Sequence, residues 1–234
     1  MAIRYNIGAV WGLPVMKFTL TYEGPLPSGG NKARNAEKWA IRKHFHPQLI
    51  DLWRNHPALK AVEENRYFPK SGGAVLKQTH HQHPGPITPL LTADHSPGTE
   101  RGILDLCASI PKHGVDFRPL VRETYALHCG LKILFLRQEK PGKLYQGGDI
   151  DGRMKTLLDA LAMPQHVEQV LADSSAPKYI YCLLEDDSLI SGLNVETERL
   201  LTGDPNLPVD YAKLTIEVDV RVRQATIYNQ SFLG

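Results

Sequence analysis

Apolar and polar residues alternate through Met16, Phe18, Leu20 and Tyr22, so residues 16–22 predict a strand with one buried face. Gly24, Pro25, Pro27, Gly29 and Gly30 then interrupt it. From about Ala33 the spacing becomes helical and carries Trp39, Phe45, Leu49, Leu52 and Trp53. Pro47 lies inside this stretch without a backbone donor, so the segment is expected to kink there or to divide into two helices. Farther on, Leu127, Cys129, Leu131, Ile133 and Phe135 mark one face of a strand within 125–137. Met154, Leu157, Leu158 and Leu161 recur at steps of three and four, the stripe of a core-facing helix that Pro164 closes. Two more strands are expected at 188–198 and 213–223; in the second, Leu214, Ile216, Val218, Val220 and Val222 alternate strictly.

Residues 57–118 break this rhythm. They are rich in proline, glycine and histidine and lack sustained periodicity, apart from a short helical stretch near Arg101 to Ala108. The segment reads as an irregular insertion, a lid or arm, within a single domain spanning 1–234. The element order is strand, helix, insertion, strand, helix, strand, strand. That order predicts an α+β fold, a mixed sheet covered by helices.

Composition narrows the setting. The chain of 234 residues holds no apolar run long enough to span a bilayer, and Met1 to Tyr5 do not open a secretory segment. A cytoplasmic protein without membrane association is therefore expected. Cys107, Cys129 and Cys182 are odd in number and widely spaced, which predicts reduced thiols rather than a disulfide frame. The net charge of +2 says little by itself, because phosphate is bound by local potential. Local basic groups are Arg34, Lys38, Arg42 and Lys43 on the first helix, and Arg137, Lys140 and Lys143 ahead of an acidic motif. Each cluster taken alone reads first as a solvated face.

That motif runs Gly148-Asp149-Ile150-Asp151-Gly152-Arg153-Met154-Lys155, and Glu185-Asp186-Asp187-Ser188 follows downstream. Asp149 and Asp151 straddle a strand-to-helix junction, where an extended chain lets alternate residues point to one side. Lys155 lies one helical turn beyond Asp151 on the same edge. Carboxylates are the ligands that Mg²⁺ and similar hard cations take, and acids around such ions with a lysine nearby suit phosphoryl transfer. A purely structural account also exists: Asp is a favoured N-cap, and Asp with Lys at i+4 is an ordinary helix pair. It explains Asp151 and Lys155 but neither Asp149 nor the later acids.

The whole pattern resembles the RusA-type Holliday junction resolvases, whose signature is Asp-x-Asp-Asn-x-x-Lys, then Leu-Asp-Ala-Leu, then an Asp-Asp pair. Leu158-Asp159-Ala160-Leu161 and Asp186-Asp187-Ser188 extend the match, which covers roughly residues 120–223. The resemblance implies a Mg²⁺-dependent endonuclease, with Mn²⁺ as an alternative ion, that cuts branched DNA as a homodimer. It places metal ligands at Asp149, Asp151 and Asp187, with Asp186 as the neighbour one register away, and the essential lysine at Lys155. The basic residues named above, together with Arg153, would track the DNA backbone. One position departs from the family: Gly152 stands where the signature has Asn. This departure and the long insertion favour the alternative, a DNA-binding or structural protein that kept the fold and lost efficient chemistry.

Histidines offer a weaker rival site. His80, His81 and His83 suit transition metals, yet they lack helical i, i+4 spacing or matched cysteines and read as a polar loop. His44 and His46 read as surface or phosphate-contacting residues. No Gly-rich phosphate loop or Ser/Cys nucleophile motif accompanies them.

Overall fold

The computed structural model describes residues 15–28, 34–69, 103–138, 150–171, 177, 179–202, 204, 206–226 and 228–233. The expected first strand is β1 (Met16–Pro25), followed by helix α1 (Asn35–Asn55) and helix α2 (Pro57–Glu64). Short strands β2 (Tyr67–Pro69), β3 (Ile103–Asp105) and β4 (Ile110–Lys112) lead into β5 (Val115–Val121) and β6 (Leu127–Arg137). Helix α3 (Ile150–Leu161), strands β7 (Tyr179–Leu184), β8 (Ile190–Arg199) and β9 (Tyr211–Val222), and a last turn of helix, α4 (Gln230–Leu233), complete the order. The class is α+β.

The main sheet has the order β1-β9-β6-β8. β9 is antiparallel to both β1 and β6, whereas β6 and β8 run parallel, with α3 between them in sequence. One face is apolar: Leu131, Ile133 and Phe135 of β6 and Leu214, Ile216 and Val218 of β9 are buried in one core with Phe45, Leu49, Met154 and Leu157 of the helices. The other face is polar and carries ion pairs, Lys17–Glu217 at 3.8 Å, Lys213–Glu23 at 3.5 Å and Lys132–Glu196 at 3.9 Å. A sheet solvated on one side writes its pleat into the sequence as alternation, which is why these strands are legible.

The expected division into two helices does not fall at Pro47. Helix α1 is continuous over 21 residues through it, with Pro47 on the exposed side. The division falls instead at His56, whose Nδ1 accepts the Ala58 N–H at 3.2 Å and caps α2.

The described parts of 57–118 also correct the expectation of an irregular insertion. They form α2 and β2 to β5, with β2 paired to β3 and β5 lying in a second sheet of order β4-β5-β7. In the stretch expected as a helix near Arg101 to Ala108, the described residues 103–108 hold strand β3 and a turn instead. Strands of three residues are too short to show a period. One local signal exists: His113 (φ 53°) and Gly114 (φ 80°) form a two-residue turn between β4 and β5, where a tight hairpin needs positive φ at both positions. Strand β7 also lies outside the expected elements, because Tyr179–Leu184 is an almost continuous apolar run without alternation. Residues 70–102, including His80, His81 and His83, lie outside the described residues.

All three cysteines are free and buried. Burial pushes the Cys107 thiol up to about 11 and those of Cys129 and Cys182 up to about 12. Among the described residues no helix is long and apolar enough to cross a membrane.

Candidate active site at the amino end of helix α3

Helix α3 follows β6 after residues 139–149, which lie outside the described set and include Asp149, Lys140 and Lys143. Its apolar residues share one core with those of β6 and β9. Its inner face is fixed by packing: Met154, Leu157, Ala160 and Leu161 are buried. Asp151 in the first turn and Lys155 one turn later are exposed. Among the described residues neither side chain makes a hydrogen bond or ion pair. The simple i, i+4 pair is therefore not formed, and the helix presents a carboxylate and an ammonium side by side along an open edge. Gly152 between them is helical, and its carbonyl accepts the Thr156 hydroxyl at 3.1 Å.

The carboxyl end of α3 is built differently. Arg42 of α1 is 1% exposed. Its guanidinium donates to the Ala162 carbonyl at 2.9 and 3.1 Å and to the Asp159 carbonyl at 2.7 Å. These are carbonyls a helix end leaves without partners, and a cation there also meets the negative end of the helix dipole. Burial lowers the Arg42 pKa to about 10, so the group remains a cation at neutral pH. Lys38, one turn earlier, pairs with the Asp159 carboxylate at 2.6 Å.

The residues of the expected basic stripe differ in exposure. Arg42, Arg137 and Arg153 are buried, at 1%, 2% and 3% exposure. Lys38 is committed to Asp159, and Arg34 pairs with Glu37 at 3.1 Å. Lys43 is half-buried on α1. His46 also differs from the surface role: its Nδ1 accepts the Tyr181 N–H at 2.9 Å, and burial lowers its pKa.

The second acidic segment lies at the far end of α3. Ala162, just past the helix, bridges to Leu184, and the Met163 N–H donates to the Leu184 carbonyl at 3.0 Å. Glu185, Asp186 and Asp187 follow directly. Glu185 accepts the Glu123 N–H at 3.0 Å. Asp186 accepts the Ser188 N–H at 3.0 Å and the Gln165 side-chain amide at 2.8 Å. The Ser188 hydrogen bonds hold its carboxyl below the usual carboxylate range, helped by Lys112. Asp187 is exposed.

A twelve-residue helix is about 18 Å long. Asp151 and Asp187 therefore sit at opposite ends of α3, and the expected convergence of these acids does not arise within one chain. Among the described residues no three His, Cys, Asp or Glu side chains gather as a metal site. The donor chemistry at the amino end suits a hard cation, and among the described residues Asp151 is the candidate ligand there. Sequence reasoning missed Gln165 and Lys112, which surround Asp186; their separation along the chain leaves no local signal.

Comparisons with protein-family models, with curated proteins and with solved structures find no match to this chain.

Proposed function

We propose that the chain is a Mg²⁺-dependent endonuclease of the RusA-resolvase kind, acting on branched DNA as a homodimer, with its chemistry at the amino end of α3. The observation that carries this reading is the pair Asp151 and Lys155, exposed one turn apart and engaged with nothing among the described residues, on a helix whose other face is fixed in the core. Asp151, with Asp149 just before it in sequence, would hold the cation. A bound divalent ion supplies Lewis-acid polarisation of a phosphodiester. Lys155 would meet the charge growing on the phosphoryl oxygens, a task for a preorganised cation. The α3 amino end adds its own partial positive charge, which favours a phosphate there. Asp187 reaches such a centre only from a second copy of the chain, since its own α3 holds it about 18 Å away.

The test is cleavage of four-way junction, fork, duplex and single-stranded DNA in Mg²⁺, Mn²⁺ and EDTA, with Asp151→Asn as control. Metal-dependent cutting of branched substrates that Asp151→Asn abolishes is the expected result. A second reading, a DNA-binding protein without chemistry, is favoured by Gly152 in place of Asn and by the separation of Asp151 from Asp187. DNA binding without cutting in either metal selects it.

A further inference from the structure

The edge strands of this molecule are treated unequally. On β1 the Gln48 side-chain amide donates to the Thr21 carbonyl at 2.7 Å and accepts the Thr21 N–H at 2.9 Å. On β7 the Tyr181 N–H is taken by His46. Both covers come from α1, and both occupy backbone groups that an open edge would offer to another chain. Strand β8 is the remaining edge of the main sheet, ten residues long, and among the described residues nothing pairs with its outer side. The Leu200 N–H donates to the Arg137 carbonyl at 2.6 Å, so even-numbered backbone groups turn toward β6. By alternation Leu193, Val195, Thr197 and Arg199 turn theirs outward.

The side chains repeat the message. In the β6–β8 register Leu131, Ile133 and Phe135 lie beside Leu193, Val195 and Thr197 on the core face. The three β6 residues are buried, yet Leu193 is 47% exposed. The apolar layer thus runs to the edge of the sheet and stops uncovered.

We propose that this edge is a subunit interface, β8 pairing antiparallel with β8 of a second copy to continue the main sheet across a two-fold axis. Self-pairing is favoured because the charges of β8 select a register. Centring the axis on Glu196 sets Glu196 against its own copy, and centring on Thr197 sets Glu196 against Glu198; like charges directly opposite are destabilising. Centring on Asn194 or Val195 avoids both clashes. In either, Leu193 meets Val195 or Thr197 of the second copy and its exposed face is covered. A symmetric, self-complementary patch is what a two-fold dimer requires.

The inference rests on the homodimeric part of the proposed function and not on its chemistry, so the two are tested apart. Sedimentation velocity on the full chain should show a dimer at micromolar concentration. Thr197→Pro removes an outward N–H, costs no bond to β6 and is tolerated on an edge. Leu193→Lys places two charges in the proposed seam. Each should weaken dimerisation about ten- to a hundredfold while leaving the far-UV circular dichroism of the monomer unchanged. A wild-type monomer, or dimers that persist in both folded variants, overturns the proposal. Cleavage of junctions by persistently dimeric variants would sink the edge pairing and leave the nuclease standing. An edge-dependent dimer that cuts nothing would keep the pairing and sink the nuclease.

Discussion

Each end of helix α3 has an acid of its own and a lysine near it, Lys38 of α1 at one and Lys155 of α3 at the other, and the protein uses the two pairs in opposite ways. At the carboxyl end Asp159 is joined to Lys38 at 2.6 Å beside a buried Arg42 that closes the helix carbonyls. At the amino end Asp151 and Lys155 share one chain, one helix and one turn, and stay apart in water. The residue types are the same; burial and the presence of backbone acceptors decide the role. A charge that helix termini and neighbours already satisfy is spent on the fold, whereas one left exposed at a helix amino end is available to a ligand.

Mutations that act at only one end separate these roles. The largest effect is expected at the amino end: Asp151→Asn and Lys155→Ala should each lower cleavage by orders of magnitude in a gel assay. Asp151→Asn should leave DNA binding intact or tighter, since it removes a negative charge facing phosphate. Lys155→Ala should cost little stability, because even a formed i, i+4 pair is worth only about 0.3–0.5 kcal/mol. Equal turnover in wild type and Lys155→Ala would reduce that lysine to a solvated side chain.

At the other end Arg42→Met should leave activity per folded molecule unchanged and destabilise the protein by about 2–3 kcal/mol, because charged hydrogen bonds to buried carbonyls are lost. For a chain of this size that is a fall in melting temperature of about 5–10 °C, readable by calorimetry. A melting temperature within a degree of wild type would show that the C-terminal carbonyls find other partners.

Acidification should give a smaller loss. The His46 pKa is lowered by burial, so the folded protein prefers the neutral ring whose Nδ1 accepts the Tyr181 N–H. Stability from this contact is present above the unfolded value near 6.5 and declines as pH falls through it toward the lowered folded value. His46→Gln should flatten that part of a melting-temperature profile between pH 7 and 5; an unchanged slope would remove His46 as its source.

The smallest effect belongs to Gly152. Its place inside α3 without positive φ means Gly152→Asn should stabilise the helix by a few tenths of a kcal/mol. If the signature Asn orients a ligand or water, the same change should raise the rate about 10–100-fold in Mg²⁺ or Mn²⁺. Equal rates would make Gly152 neutral for catalysis.

How far the sequence foretold this structure depends on the exposure of each element. Strands β1, β6 and β9 face water on one side, and their alternation is visible without coordinates. Helix α3 announces itself by a three-and-four stripe for the same reason. Strand β7 is apolar on both faces and β2 to β4 span three residues each, so neither carries a period. The candidate site was legible as residue types but not as placement. A sequence shows that Asp151 and Asp187 are acids; only the helix between their segments shows how far apart they stand. The burial of Arg42, Arg137 and Arg153 was hidden for a related reason, since an arginine on a helix or strand looks the same in sequence whether it is exposed or, like Arg42, bonded to buried carbonyls.

The three buried thiols have a practical consequence. Cys107, Cys129 and Cys182 are the only cysteines in the chain, and burial keeps all of them protonated at neutral pH. The thiolate is the nucleophile that attacks a maleimide or a thiol-reactive spin label, so the native protein should be nearly silent toward them. A single cysteine introduced on the surface would then carry a fluorophore or spin label alone, with no need to remove the native three. Distances between labels on two copies, or between a label and a DNA end, become measurable in an otherwise unaltered protein.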